Sequence, residues 1–144
     1  MIEKDTIKLL RECDAGVKMG VNSLEQVLPY VHSEALRQHL SACRQEHEQL
    51  RSEIEAELAR FRDEGKQPDP VAQMAGQAMT QAKLVFTGSD KTIADMMTDG
   101  CNMGVKSLNR YLNEYGAADE RSKDMAKRLI MQEKKLADGV RDYL

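Results

Sequence analysis

The stretch Gly16-Val17-Lys18-Met19-Gly20-Val21-Asn22-Ser23-Leu24 returns 84 residues later as Gly100-Cys101-Asn102-Met103-Gly104-Val105-Lys106-Ser107-Leu108, and nothing else in the chain restricts its fold as much. Carried on to Leu28 and Leu112, seven of thirteen aligned positions are identical, well beyond what unrelated segments share. Both copies lie in helical patterns, where each glycine costs about 1 kcal/mol relative to alanine. Glycines four apart share one helix face. Gly16, Gly20, Gly100 and Gly104 therefore need a reason: a close crossing of two helix backbones, or a bulky group from a neighbour that takes the space. The close crossing is the expectation, with a pocket for a small ligand at the glycine faces as a weaker one.

Around these glycines the apolar residues recur at spacings of three and four, the period of helices buried on one side. The first helix is expected from about Asp5 to Tyr30, on a seam of Ile7, Leu10, Asp14, Val17, Val21, Leu24 and Leu28. Pro29 disturbs its last turn, and Ser33 is a good N-cap for a second helix seamed by Leu36, Leu40, Cys43, His47, Leu50, Ile54, Leu58 and Phe61. Gly65 and the turn Gln67-Pro68-Asp69-Pro70 close that hairpin and open a connector helix. Ser89 and Asp90 start the next long helix, seamed by Ile93, Met97, Cys101, Gly104, Leu108 and Tyr111. The last helix begins near Ala118 and carries Met125 or Ala126, Leu129, Glu133, Leu136, Val140 and Tyr143.

The expected fold is all-α: one domain over residues 1–144, made of a hairpin 1–65, a connector helix 66–88 and a second hairpin 89–144. Composition agrees, with aromatics at 4%, no tryptophan, and leucine, alanine and methionine at the apolar positions. The 21 basic residues are scattered among 24 acidic ones, which leaves no nucleic-acid footprint. Nowhere does the sequence approach the apolar run of a membrane span, and the N-terminus lacks a signal-peptide core. Cys13, Cys43 and Cys101 are odd in number and sit on apolar faces, as small buried hydrophobes in a reducing compartment do. A cytoplasmic protein is expected. Long helices leave apolar surface to cover, so a homodimer is expected too.

In its four long helices, its two related hairpins and the long link between the second and third helices, the chain resembles the ferritin-like superfamily. It is most similar to a bacterial branch whose link carries an extra helix, and whose first helix has an acidic-then-glycine stretch like Cys13-Asp14-Ala15-Gly16-Val17. The resemblance implies a ferritin-like four-helix bundle. It does not carry over the dinuclear metal motif, a Glu on two helices and Glu-x-x-His on the other two. Arg44 stands three residues before His47, the fourth helix has Glu133 where a histidine is required, and Asp14 is matched by Thr98.

The polar breaks in the seams align nonetheless. Counted from the interhelical turns, Asp14, His47, Thr98 and Glu133 fall at one height, so a polar layer is expected in the core. A buried carboxylate there must be neutralised by His47, by a lysine such as Lys18, by a shared proton or by a metal. The expected layer is a hydrogen-bonded network with no cofactor. The alternative is a single iron or zinc ion on Asp14, His47 and Glu133. His32 and His39 read as solvent-facing or partly packed, and Met96, Met97, Cys101 and Met103 as adaptable core filling. No nucleophile–base pair or phosphate loop is visible, so a non-catalytic structural or interaction module is expected.

Overall fold

The computed structural model describes residues 2–68 and 89–144, and four α-helices account for most of them. They are α1 (Ile2–Val27), α2 (Glu34–Arg60), α3 (Asp90–Glu114) and α4 (Glu120–Val140), with 3₁₀ turns at Leu28–Tyr30 and Arg141–Tyr143. No strand occurs among the described residues. The expected connector helix lies, from residue 69 to 88, outside them.

Local chemistry sets the boundaries. Pro29 cannot continue the α-helical hydrogen bonding, so α1 tightens into a 3₁₀ turn and the chain then extends at Val31. Each later helix starts at a side-chain cap that satisfies an otherwise orphaned amide. Ser33 accepts from Leu36 N at 3.2 Å, Ser89 from Thr92 N at 3.1 Å and Asp119 from Ser122 N at 2.8 Å.

Contacts at the two ends fix the directions of the helices. At one end the Asp90 carboxylate, opening α3, accepts from His32 N at 2.8 Å and Ser33 N at 2.9 Å in the α1–α2 connection. Tyr143, just past α4, meets Ser33 there, hydroxyl to hydroxyl at 3.2 Å. At the other end, near the start of α1, Asp5 accepts from Ala117 N at 3.1 Å and Thr6 from Asp119 N at 2.8 Å, both in the α3–α4 connection. The order is therefore up, down, down, up, with the end of α2 and the start of α3 at opposite ends of the bundle.

The protein is an all-α four-helix bundle with most of the expected seam residues in its core, while Ile7, Leu28, Phe61, Tyr111 and Tyr143 are half-buried and Leu9, Cys13 and Val27 join the core of α1. Leu36, Leu40, Leu50, Ile54 and Leu58 on α2 are all buried, and so are Leu129, Leu136 and Val140 on α4. Each such leucine contributes about 1.5–3 kcal/mol by leaving water. The buried residues form two clusters. One gathers Leu10, Val17, Leu50, Leu108 and Leu129, the other Leu24, Leu40, Cys43, Cys101 and Leu136. His47 and Glu133 lie between them.

Candidate functional site

His47 is completely buried on α2, one turn beyond Cys43, whose carbonyl oxygen lies 2.8 Å from His47 Nδ1. A carbonyl can only accept, so Nδ1 carries the proton and Nε2 is the atom presented to the core. Nε2 faces Glu133 Oε1 of α4 at 3.2 Å. Either an imidazolium donates to a carboxylate, or a protonated Glu133 donates to a neutral ring; in both cases the pair holds one proton between the two groups. Burial pushes the His47 pKa down, yet the Glu133 hydrogen bond and charge, with the Cys43 carbonyl, carry it above its ordinary value.

Two glycines make room for this pair. A Cβ on Gly20 of α1 would stand 2.9 Å from His47 Cδ2, and one on Gly104 of α3 would stand 3.5 Å from the Glu133 carboxyl. Of the four glycines expected at a close helix crossing, Gly16, Gly20, Gly100 and Gly104, two thus serve the other reason for helical glycine: Gly20 and Gly104 leave space for a neighbour's side chain. A Cβ on Gly16 would meet Leu129 at 3.6 Å, and one on Gly100 would meet none of the described residues within 4 Å.

Asp14 does not join His47 and Glu133. Gly20, six residues further along α1, is the residue level with His47, which puts Asp14 about 9 Å away along the axis. The shift arises because residues 28–33 leave the α-helical rise, so the midpoint of the hairpin falls near Ser33 and not near Tyr30. The second hairpin is offset alike: Glu133 is level with Gly104, while Thr98 donates to the Ala94 carbonyl at 2.8 Å within α3. Asp14 is neutralised by Lys18, whose Nζ lies 2.6 Å from Asp14 Oδ2. The same oxygen accepts from Lys66 N at 3.0 Å and so ties the segment after α2 to α1. Of the three residues that the alternative metal reading used, His47 and Glu133 meet and Asp14 sits in another layer. Among the described residues no group of three or more His, Cys, Asp or Glu side chains is placed to hold an ion.

Between α1 and α3 lies a cleft of about 510 Å³, with the Glu133 side chain in its wall. That is the size of a small-molecule site. Both members of four of the seven identical repeat pairs line it: Gly16 with Gly100, Met19 with Met103, Gly20 with Gly104, and Ser23 with Ser107. Of the remaining pairs, Leu24 and Leu108 are both buried in the core. Among the described residues Met19 and Met103 stay 39% and 71% exposed. Their shared helical face is legible in the repeat, and the gap beside it is what the weaker expectation of a pocket at the glycine faces describes.

The charges on the wall are paired within the protein. Glu133 meets His47, and Glu12 takes the Lys66 ammonium at 2.6 Å. Cys101, also in the wall, is buried, and its thiol pKa is pushed up by that burial first and by Glu133 next. It is a neutral, unreactive group. The cleft thus offers apolar surface, thioethers and a few hydroxyls, with no activated nucleophile. No protein-family model matches the chain, and comparison with curated proteins and solved structures finds no significant match.

Proposed function

We propose that the chain is a non-catalytic binding module on a ferritin-like frame without the dinuclear metal site, and that it holds a small, mainly apolar molecule in the α1–α3 cleft. The up-down-down-up order with one long link supports the ferritin-like frame, since that connectivity belongs to such bundles. The observation that carries the binding reading is the repeat itself. Identity between the two halves falls on the cleft wall, at glycines that cost helix stability and at methionines exposed to solvent. Gly20 and Gly104 make room for His47 and Glu133, but no pinned side chain of the described residues requires glycine at Gly16 or Gly100.

The test is a titration with phenylnaphthylamine, an uncharged aromatic that fluoresces in apolar surroundings, on the parent and on Gly100→Leu. The added side chain enters the cleft, because a Cβ at Gly100 meets none of the described residues within 4 Å. Saturable binding of one probe per chain is expected in the parent. It should be lost in Gly100→Leu, which melts no lower than the parent. Absence of saturable binding, or binding untouched by the substitution, overturns the proposal.

A further inference from the structure

A neutral His47 ring has one proton for two acceptors. Its Nδ1 faces the Cys43 carbonyl oxygen at 2.8 Å, and its Nε2 faces Glu133 Oε1 at 3.2 Å. While the pair holds its shared proton, both contacts are hydrogen bonds. Once that proton passes to solvent, one ring proton is left. Kept on Nδ1, it serves the shorter contact and sets the bare Nε2 against a carboxylate. Moved to Nε2, it sets the bare Nδ1 against a carbonyl of the α2 backbone. The first arrangement costs less, because a carboxylate on a side chain can turn away and a helical carbonyl cannot.

Glu133 has room to turn. A Cβ on Gly20 would lie 3.4 Å from its Oε1 and one on Gly104 3.5 Å from its Oε2, so both flanking helices withhold a side chain there. The charged groups around the pair are engaged or exposed. On α1 Lys18 is held by Asp14 at 2.6 Å, while Glu46 of α2 takes Lys135 of α4 at 2.7 Å and Lys134 is exposed. The Cys43 thiol of α2 lies 3.7 Å from His39 Nε2. On α3 the buried Cys101 thiol stands beside Glu133: burial first, and then the charge and hydrogen bond of Glu133, keep it protonated. An S–H group is a weak donor, and it bonds best to an acceptor that carries full charge.

We infer that His47 and Glu133 form a proton-operated switch between helices: with the shared proton Glu133 ties α4 to α2 through His47, and without it the carboxylate turns to the Cys101 thiol and ties α4 to α3. The switch is a property of the buried layer between the two core clusters and needs no ligand.

Infrared spectra of the full chain across pH, read with the imidazole nitrogen resonances of His47, test it. The S–H stretching band of Cys101 is assigned by its loss in Cys101→Ala. As His47 titrates, its neutral ring should carry the proton on Nδ1. The Cys101 band should fall in frequency with the same midpoint, because a stronger hydrogen bond weakens the S–H bond. In Glu133→Gln the band should stay fixed across pH. In Cys101→Ser the stronger hydroxyl donor favours the ionised carboxylate, so the His47 midpoint should move to lower pH. A Cys101 band that stays in place while His47 titrates, a neutral ring protonated at Nε2, or an unmoved midpoint in Cys101→Ser overturns the proposal.

Discussion

Gly20 of α1 and His47 of α2 are fitted to each other: a Cβ on the glycine would lie 2.9 Å from the ring's Cδ2 and 3.2 Å from Nε2. The ring cannot step aside without loss, because it is held at one nitrogen by the Cys43 carbonyl and at the other by Glu133. Helix propensity favours Gly20→Ala by about 1 kcal/mol, while overpacking against a pinned ring costs about 1–3 kcal/mol. Net destabilisation is expected. Gly100→Ala, whose added Cβ meets none of the described residues within 4 Å, should gain up to about 1 kcal/mol. The urea midpoints of the two variants, moving in opposite directions at constant slope, check this.

The raised pKa of His47 makes stability depend on pH with a definite sign. Because the folded chain holds this proton more tightly than the unfolded one, the contribution is complete below about 6.5, the unfolded value, and is lost as pH rises through the folded pKa above it. In Glu133→Gln the opposing charge is gone and burial dominates, so the loss above 6.5 should disappear. Histidine proton resonances followed against pH, with denaturation at matched pH values, read both quantities.

Lys18 is 6% exposed and Asp14 wholly buried, so removing the lysine alone strands a carboxylate. Lys18→Met should cost about 3–5 kcal/mol. Adding Asp14→Asn should recover most of it, because the amide carbonyl still accepts from Lys66 N and no charge remains. A double-mutant cycle by chemical denaturation gives the coupling. Gly65 belongs to the same contact. Its φ of +88° and the collision of any Cβ with the Asp14 carboxylate predict a loss of about 1–3 kcal/mol in Gly65→Ala.

Burial pushes the Cys13 thiol up to about 12 and the Cys43 thiol up to about 11, and Cys101 is raised as well. None is a thiolate at neutral pH. Thiol reagents should leave all three unmodified in the native protein. Labelling should follow the global unfolding rate, and rapid modification of any one cysteine under native conditions would contradict its placement.

Much of this was readable from the amino-acid order. The period of three and four, the breaker at Pro29 and the caps at Ser33 and Ser89 are local signals, and local sterics and hydrogen bonding enforce them within a turn or two. They yield four helices, and they yield the buried faces, His47 and Glu133 included. The pairing of Asp14 with Lys18 was also local, four residues along one helix.

Tertiary structure alone decided what meets across the bundle. The expected layer of Asp14, His47, Thr98 and Glu133 assumed that heights count evenly from each turn, whereas residues 28–33 displace α1 by six positions against α2. A slip of that size leaves every residue on its own seam and changes its neighbour, so no pattern within one helix records it. The glycines carry the same lesson. A bare helix face is identical in sequence whether another backbone, a histidine ring or a cleft lies opposite it, because glycine specifies only the absence of a side chain. Which of these fills the space depends on how far apart the other helices hold α1 and α3, and that distance is set by the packing of the whole core.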